Sequence, residues 1–137
     1  VWAFNGKHWY KSGSVESKPI LIDGLGVGDT GEIVLKDRKQ LSEYGMFIIV
    51  INLSANTHRL MGKPQFVSRG FIYMKKSQEL LKEIKTIIYD VHREWMNISK
   101  KNNNYDYSEL KSLMEKSIGK YIYKKTEREP IIQIVVV

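Results

Sequence analysis

Three features of this sequence have residue types or spacing suited to chemistry: a glycine run, a set of histidines and an Arg beside a Gly. Gly26-Val27-Gly28-Asp29-Thr30-Gly31 matches G-x-G-x-x-G and follows the apolar Ile20–Ile22. In a dinucleotide site such a run opens a helix whose first amides face a pyrophosphate, and an acidic residue ends the next strand to hold the ribose. Ile33-Val34-Leu35 reads instead as a strand, and no acidic residue ends a second strand at the right distance. The cofactor reading is rejected, and the glycines are read as supplying positive φ angles in a winding linker.

His8, His58 and His92 lack a second His or a carboxylate at ligand spacing, and neither HExxH nor His-x-His-x-Asp-His occurs. They are read as surface or structural residues, so no metal ligand and no cofactor is expected in this chain. Asp23, Asp29 and Asp37 have no fixed His or Lys partner, and turn hydrogen bonds or salt bridges are their ordinary use. The chain has no Cys, which excludes a thiolate nucleophile, a disulfide framework and Cys-type metal sites. In Ser68-Arg69-Gly70-Phe71, Arg69 at a strand break has two readings: a phosphate contact, or a structural clamp on Asp37 or Glu94. Arg38, in the charged run Lys36–Lys39, is a second candidate of the same kind. No catalytic constellation emerges.

The elements that would position these residues follow from periodicity. Asn5-Gly6, among Trp2, Phe4, Trp9 and Tyr10, signals a hairpin or a segment that docks on something else. Met46–Leu53 is a strand with two apolar faces, Asn52–Pro64 a polar loop, and Gln65–Met74 a second strand broken at Ser68–Gly70. Ser77 then caps a helix of about five turns, with Leu80, Leu81, Ile84, Ile87, Ile88, Val91 and Trp95 at helical spacing. Trp95 is read as core. Lys100–Asn104 is a polar breaker, Asp106 with Glu109 resembles a capping box, and Leu110–Ile122 mark a second helix. Pro130 precedes a last strand, Ile131–Val137.

The fold expected is therefore a small α/β (α+β-like) module, β-β-α-α-β over residues 45–137, with two helices on one face of a three-stranded sheet. Residues 1–44 precede it as an irregular, glycine-rich linker that leans on a neighbour.

The chain has 137 residues and a net charge of +7, with 42% apolar and 27% charged residues, which excludes wholesale disorder. No run of ~18 apolar residues is present to span a bilayer. The first residue is Val, which reads either as a few trimmed residues or as a piece of a longer protein. The basic residues are scattered, so a solvated surface is favoured over a polyanion site.

Asp23–Gly31 running into Val34–Arg38, then Leu41-Ser42 and Gly45, Ser68-Arg69-Gly70-Phe71-Ile72-Tyr73, Tyr123-Lys124-Lys125-Thr126 and Pro130 together resemble the C-terminal part of bacterial ribonuclease J. The resemblance spans about residues 12 to 132. Glu32 stands where the family usually has Asn, Lys36 where it has Arg and Glu129 where it has a basic residue, and the ending after Gln133 also differs.

This family joins a metallo-β-lactamase fold and an inserted β-CASP domain to a linker and a small C-terminal domain. It matures and degrades RNA as a 5′-to-3′ exonuclease and an endonuclease, using two zinc ions. The resemblance implies that residues 1–16 end the metallo-β-lactamase domain, 17–44 are the linker and 45–137 the C-terminal domain. The zinc ligands and RNA clamp would lie outside this chain.

The fragment is then expected to be non-catalytic, cytoplasmic and tied to subunit association. Its partners would be a second copy or the catalytic body, with RNA reached through the parent protein. The interface expected on apolarity comprises Ile49, Ile51, Ile132, Val135 and Val137. The alternative is a free-standing basic RNA-binding module.

Overall fold

The computed structural model describes residues 1–15, 20, 22–23, 26–27, 31–72 and 77–137. The expectations placed on Pro19, Leu21, Gly24, Gly28 and Tyr73–Met74 lie outside them. The chain forms two compact units, Val1–Leu35 and Lys36–Val137.

In the first unit, β1 (Trp2–Phe4) pairs antiparallel with β2 (Trp9–Lys11), Ala3 opposite Tyr10. The Asn5-Gly6 turn that closes this hairpin works as its residue types require. Gly6 takes φ +91°, and Asn5 Oδ1 accepts from the Lys7 and His8 amides at 3.0 and 2.9 Å. Trp2 and Trp9 are exposed, with the Phe4 and Trp9 rings 5.1 Å apart. A second small hairpin pairs β3 (Ile22–Asp23) with β4 (Gly26–Val27).

Helix α1 (Glu32–Tyr44) follows, which corrects the strand expected at Ile33–Leu35. A three-residue apolar run carries no period, and the Lys-, Arg-, Gln- and Leu-rich stretch after it is made of good helix formers. A helix does follow the glycine run, but Gly26 lies within an antiparallel hairpin strand and not at the strand-to-helix turn that a dinucleotide fingerprint requires.

The second unit has the expected order: β5 (Met46–Leu53), β6 (Leu60–Arg69), α2 (Gln78–Asn102), α3 (Tyr107–Thr126) and β7 (Ile131–Val136). Its sheet runs β6-β5-β7, with β6 antiparallel and β7 parallel to the central β5. Strand β6 starts five residues before the expected Gln65 and ends at Arg69. The pairing shifts between Val50 and Asn52, so Gly62, Lys63 and Pro64 bulge opposite Ile51. That bulge, with Gly62 at φ +69°, hid the strand from its pattern, and Pro64 is tolerated because β6 is an edge strand. Gly45 at the foot of β5 is irreplaceable: its φ is +76°, and a Cβ there would lie 2.3 Å from the Arg69 carbonyl oxygen.

Helix α2 has about seven turns, not five, because Met96–Asn102 continue it past Trp95, with Lys100 and Lys101 at the favourable end of the helix dipole. It ends on Asn103 in the left-handed region. The amides of Asn103 and Asn104 donate to the carbonyls of Lys100 and Ser99. Asp106 caps α3 by accepting from the Ser108 amide at 2.8 Å. Both helices pack on one sheet face, around Phe47, Ile49, Ile51, Ile84, Ile88, Trp95, Leu110, Met114, Ile118, Ile122 and Ile134. Among the described residues, no helix is long and apolar enough to cross a membrane.

Candidate functional site

Strand alternation divides the sheet's side chains between two faces. On β5, Phe47, Ile49 and Ile51 are buried, whereas Met46, Ile48 and Val50 are half-buried. The register extends the division across the sheet. Ile132, Ile134 and Val136 lie beside the buried set, and Ile131, Gln133 and Val135 beside the other. On β6, Gln65, Val67 and Arg69 pair with that second set, and Met61 pairs with Asn52. The second face is thus mostly apolar, and on it Met61 is 58% and Val67 39% exposed.

The expected interface residues separate on this geometry. Ile49 and Ile51 are 0% and 1% exposed and belong to the core, which corrects their assignment to an interface. Ile132 packs against that core, Val135 lies on the second face, and Val137 is exposed beyond the end of β7. Continuous apolarity announced two buried faces without saying which residue takes which. Met46, Ile48, Val50 and Val67 share the second face and follow from strand parity, whereas Met61 lies beyond the bulge, where the expected strand does not reach.

The arginines do not converge. Arg69 is exposed at the end of β6, with Nη1 3.5 Å from the Ser68 carbonyl, and among the described residues it makes no ion pair with Asp37 or Glu94. Arg38 is exposed on α1. The clamp is supplied by a residue the sequence did not single out: Arg128, after α3, donates to the Phe71 carbonyl at 3.2 Å.

Two of the three histidines, His58 and His92, do converge, but on structure. The β5–β6 loop turns through His58 at φ +55°. His58 stacks on Tyr105 at 3.9 Å, and its Nδ1 lies 2.6 Å from the Tyr107 hydroxyl. His92 Nε2 on α2 meets the His58 carbonyl at 2.8 Å, and Trp95 packs edge-on to Tyr105. Both His58 and His92 spend a ring nitrogen on a structural hydrogen bond. Among the described residues no three His, Cys, Asp or Glu side chains cluster to hold a metal.

Helix α3 aligns what looked scattered in sequence. Lys116, Lys120 and Lys124 recur four apart on its exposed side, with exposed Tyr123 among them. Beside this ladder, a groove of about 580 Å³ runs between α1, α3 and the start of β7. On α2 and α3, burial pushes the Tyr121 hydroxyl above its ordinary pKa, and the carboxylates of Glu83 and Glu79 add to the shift.

None of these arrangements combines a nucleophile, a general base and an oxyanion donor. Residues 33–137 match the family described as the ribonuclease J C-terminal domain. The chain is 39% identical over 132 residues to a ribonuclease J 2 of Staphylococcus epidermidis, covering 96% of this chain and 23% of that protein. It is 38% identical over 129 residues to a ribonuclease J 2 of Staphylococcus aureus, covering 94% of this chain and 22% of that protein. The chain thus spans less than a quarter of the length of these relatives. With the family match extending over all of α2, α3 and the three-stranded sheet, this chain belongs to the ribonuclease J C-terminal domain family.

Proposed function

We propose that this chain is a non-catalytic accessory and association domain of a ribonuclease J-type, RNA-processing nuclease of the cytoplasm. The activity itself, and its zinc, would belong to a catalytic body outside this chain. The carrying observation is the sheet's second face, where Met46, Ile48, Val50, Met61, Val67, Ile131 and Val135 share a surface. Contiguous apolar surface of this kind marks interfaces. Its partner is a second copy or the catalytic body. Sedimentation across a wide concentration range, on the intact chain and on Val135→Lys, tests the first. A monomer at every concentration, with no mass change in the variant, removes the homodimer.

A second reading, direct contact with the RNA backbone, draws support from the Lys116-Lys120-Lys124 ladder. Three phosphate contacts would give an affinity falling steeply with salt. A titration with single-stranded RNA at two salt concentrations, repeated on Lys120→Gln, checks it. Salt-independent binding would count against it.

A further inference from the structure

We propose that the outer edge of β7 is a docking site for an extended, basic segment of another protein, which pairs as a fourth strand in the groove beside α3. This goes beyond the association reading, because it uses a different edge and different chemistry from the sheet's second face.

The edge follows from the ladder. The amides of Ile131 and Val137 donate to the carbonyls of Gly45 and Ile51, and Val137 in turn accepts from Leu53. In a parallel pair, alternate residues bond to the same neighbour. Residues 131, 133, 135 and 137 therefore face β5, and the backbone groups of Ile132, Ile134 and Val136 point away from it. The two-residue repeat of these groups is about 6.6 Å, the repeat of another extended chain. One of the outward groups is occupied by a side chain: Ile134 N–H donates to Glu115 Oε1 of α3 at 3.3 Å. A single carboxylate thus guards the middle of the edge, a common means of keeping an edge strand from indiscriminate pairing.

Space lies beside this edge. The groove is floored by Ile131 and Ile132 and walled by α3, where Gly119 carries no side chain and a Cβ would reach to 3.6 Å of Ile132 Cδ1. Asp37, Glu115 and Glu129 line it against Lys116 and Lys120, a negative balance in a chain whose net charge is +7.

Charge selects the occupant. A second β7 pairing antiparallel about Ile134 would bring two Glu115 carboxylates together at the two-fold axis, and like charges so placed repel. A strand from another protein with Lys or Arg opposite Ile134 meets the opposite situation. Its carbonyl takes the Ile134 N–H, and the released Glu115 pairs with its cation.

The test uses the full chain, isotope-labelled, and a blocked peptide about eight residues long, a usual strand length. The peptide alternates Val and Lys and is N-methylated along one edge so that it cannot pair with itself. The expected result is slowed amide exchange at Ile132, Ile134 and Val136, by about tenfold or more, the worth of one net hydrogen bond. The same peptide methylated on both edges, or with Glu in place of Lys, should not bind. Glu115→Gln, a conservative change, should weaken the Val/Lys peptide severalfold and leave thermal unfolding in place. Three results would overturn the proposal: no protection at those amides, equal binding of the Glu peptide, or a Glu115→Gln chain that binds as tightly as the parent. Protection of those amides without peptide, growing with chain concentration, would assign the edge to self-pairing and overturn it too.

Discussion

The two faces of the three-stranded sheet are built from nearly the same residue types, yet only one of them is a core. Ile49 and Val50 are neighbours in β5. The first is sealed beneath α2 and α3, and the second is half-buried on the other side. Composition alone does not distinguish them. What does is the amphipathic pairing of the two helices, which supply one layer and no more. Apolarity in a strand thus reports a demand for burial, and the partner that meets it is fixed elsewhere.

This contrast can be broken most directly by truncation at the neighbouring positions. Ile49→Ala should cost about 2–5 kcal/mol, the range for a large-to-small change in a closed core. Val50→Ala should cost no more than about 1 kcal/mol, the typical effect of a point mutation. Urea unfolding of both variants measures the difference, and equal losses would mean that both faces are equally covered in solution.

A smaller effect tests how much of the covered side depends on polar contacts. Tyr107→Phe removes the hydroxyl that meets His58 Nδ1 and should cost about 0.5–1.5 kcal/mol. Val135 is half-buried on the second face, and Val135→Lys should cost about 1 kcal/mol, the typical effect of a point mutation. A loss there as large as that in Ile49→Ala would place Val135 in a core.

The least effect concerns pH. The Tyr121 hydroxyl is held above its ordinary pKa by burial and then by Glu83 and Glu79. A raised pKa means that folding favours the neutral phenol. Its contribution is fully present below pH 10 and is lost as the pH rises through the folded-state value. Tyr121→Phe should therefore flatten the alkaline limb of a stability–pH curve, read by thermal unfolding.

Much of this architecture was legible because its signals are periodic. The apolar positions of α2 and α3 and the order of elements after Gly45 all follow from spacing. Two of the failures share a cause: local exceptions to a period. The β6 bulge at Gly62–Pro64 concealed half a strand, and Ile33–Leu35 was too short to show a period. The surfaces were less legible than the fold. Glu115 meets the Ile134 amide, Arg128 meets the Phe71 carbonyl, and His58 meets Tyr107 across 19, 57 and 49 positions of sequence. No spacing rule connects residues so far apart. The lysine ladder of α3 could have been found, since four-residue spacing on a helix is readable in advance.

The parallel register that sets Ile131 beside Met46 also sets a timetable. The β5–β6 hairpin and the α2–α3 pair each join near neighbours in the chain, so each can form while little loop is closed. β7 must close a loop that contains β6 and both long helices, and such long-range closure is paid for before its contacts reward it. The last strand to be added is then the one that completes the core through Ile134. Substitutions in β7 should consequently speed unfolding and leave the folding rate nearly unchanged, whereas those in the α2–α3 contact should slow folding. Stopped-flow kinetics on Ile134→Val and Ile118→Val would separate the two, and the strand that arrives last sets how long the assembled domain persists.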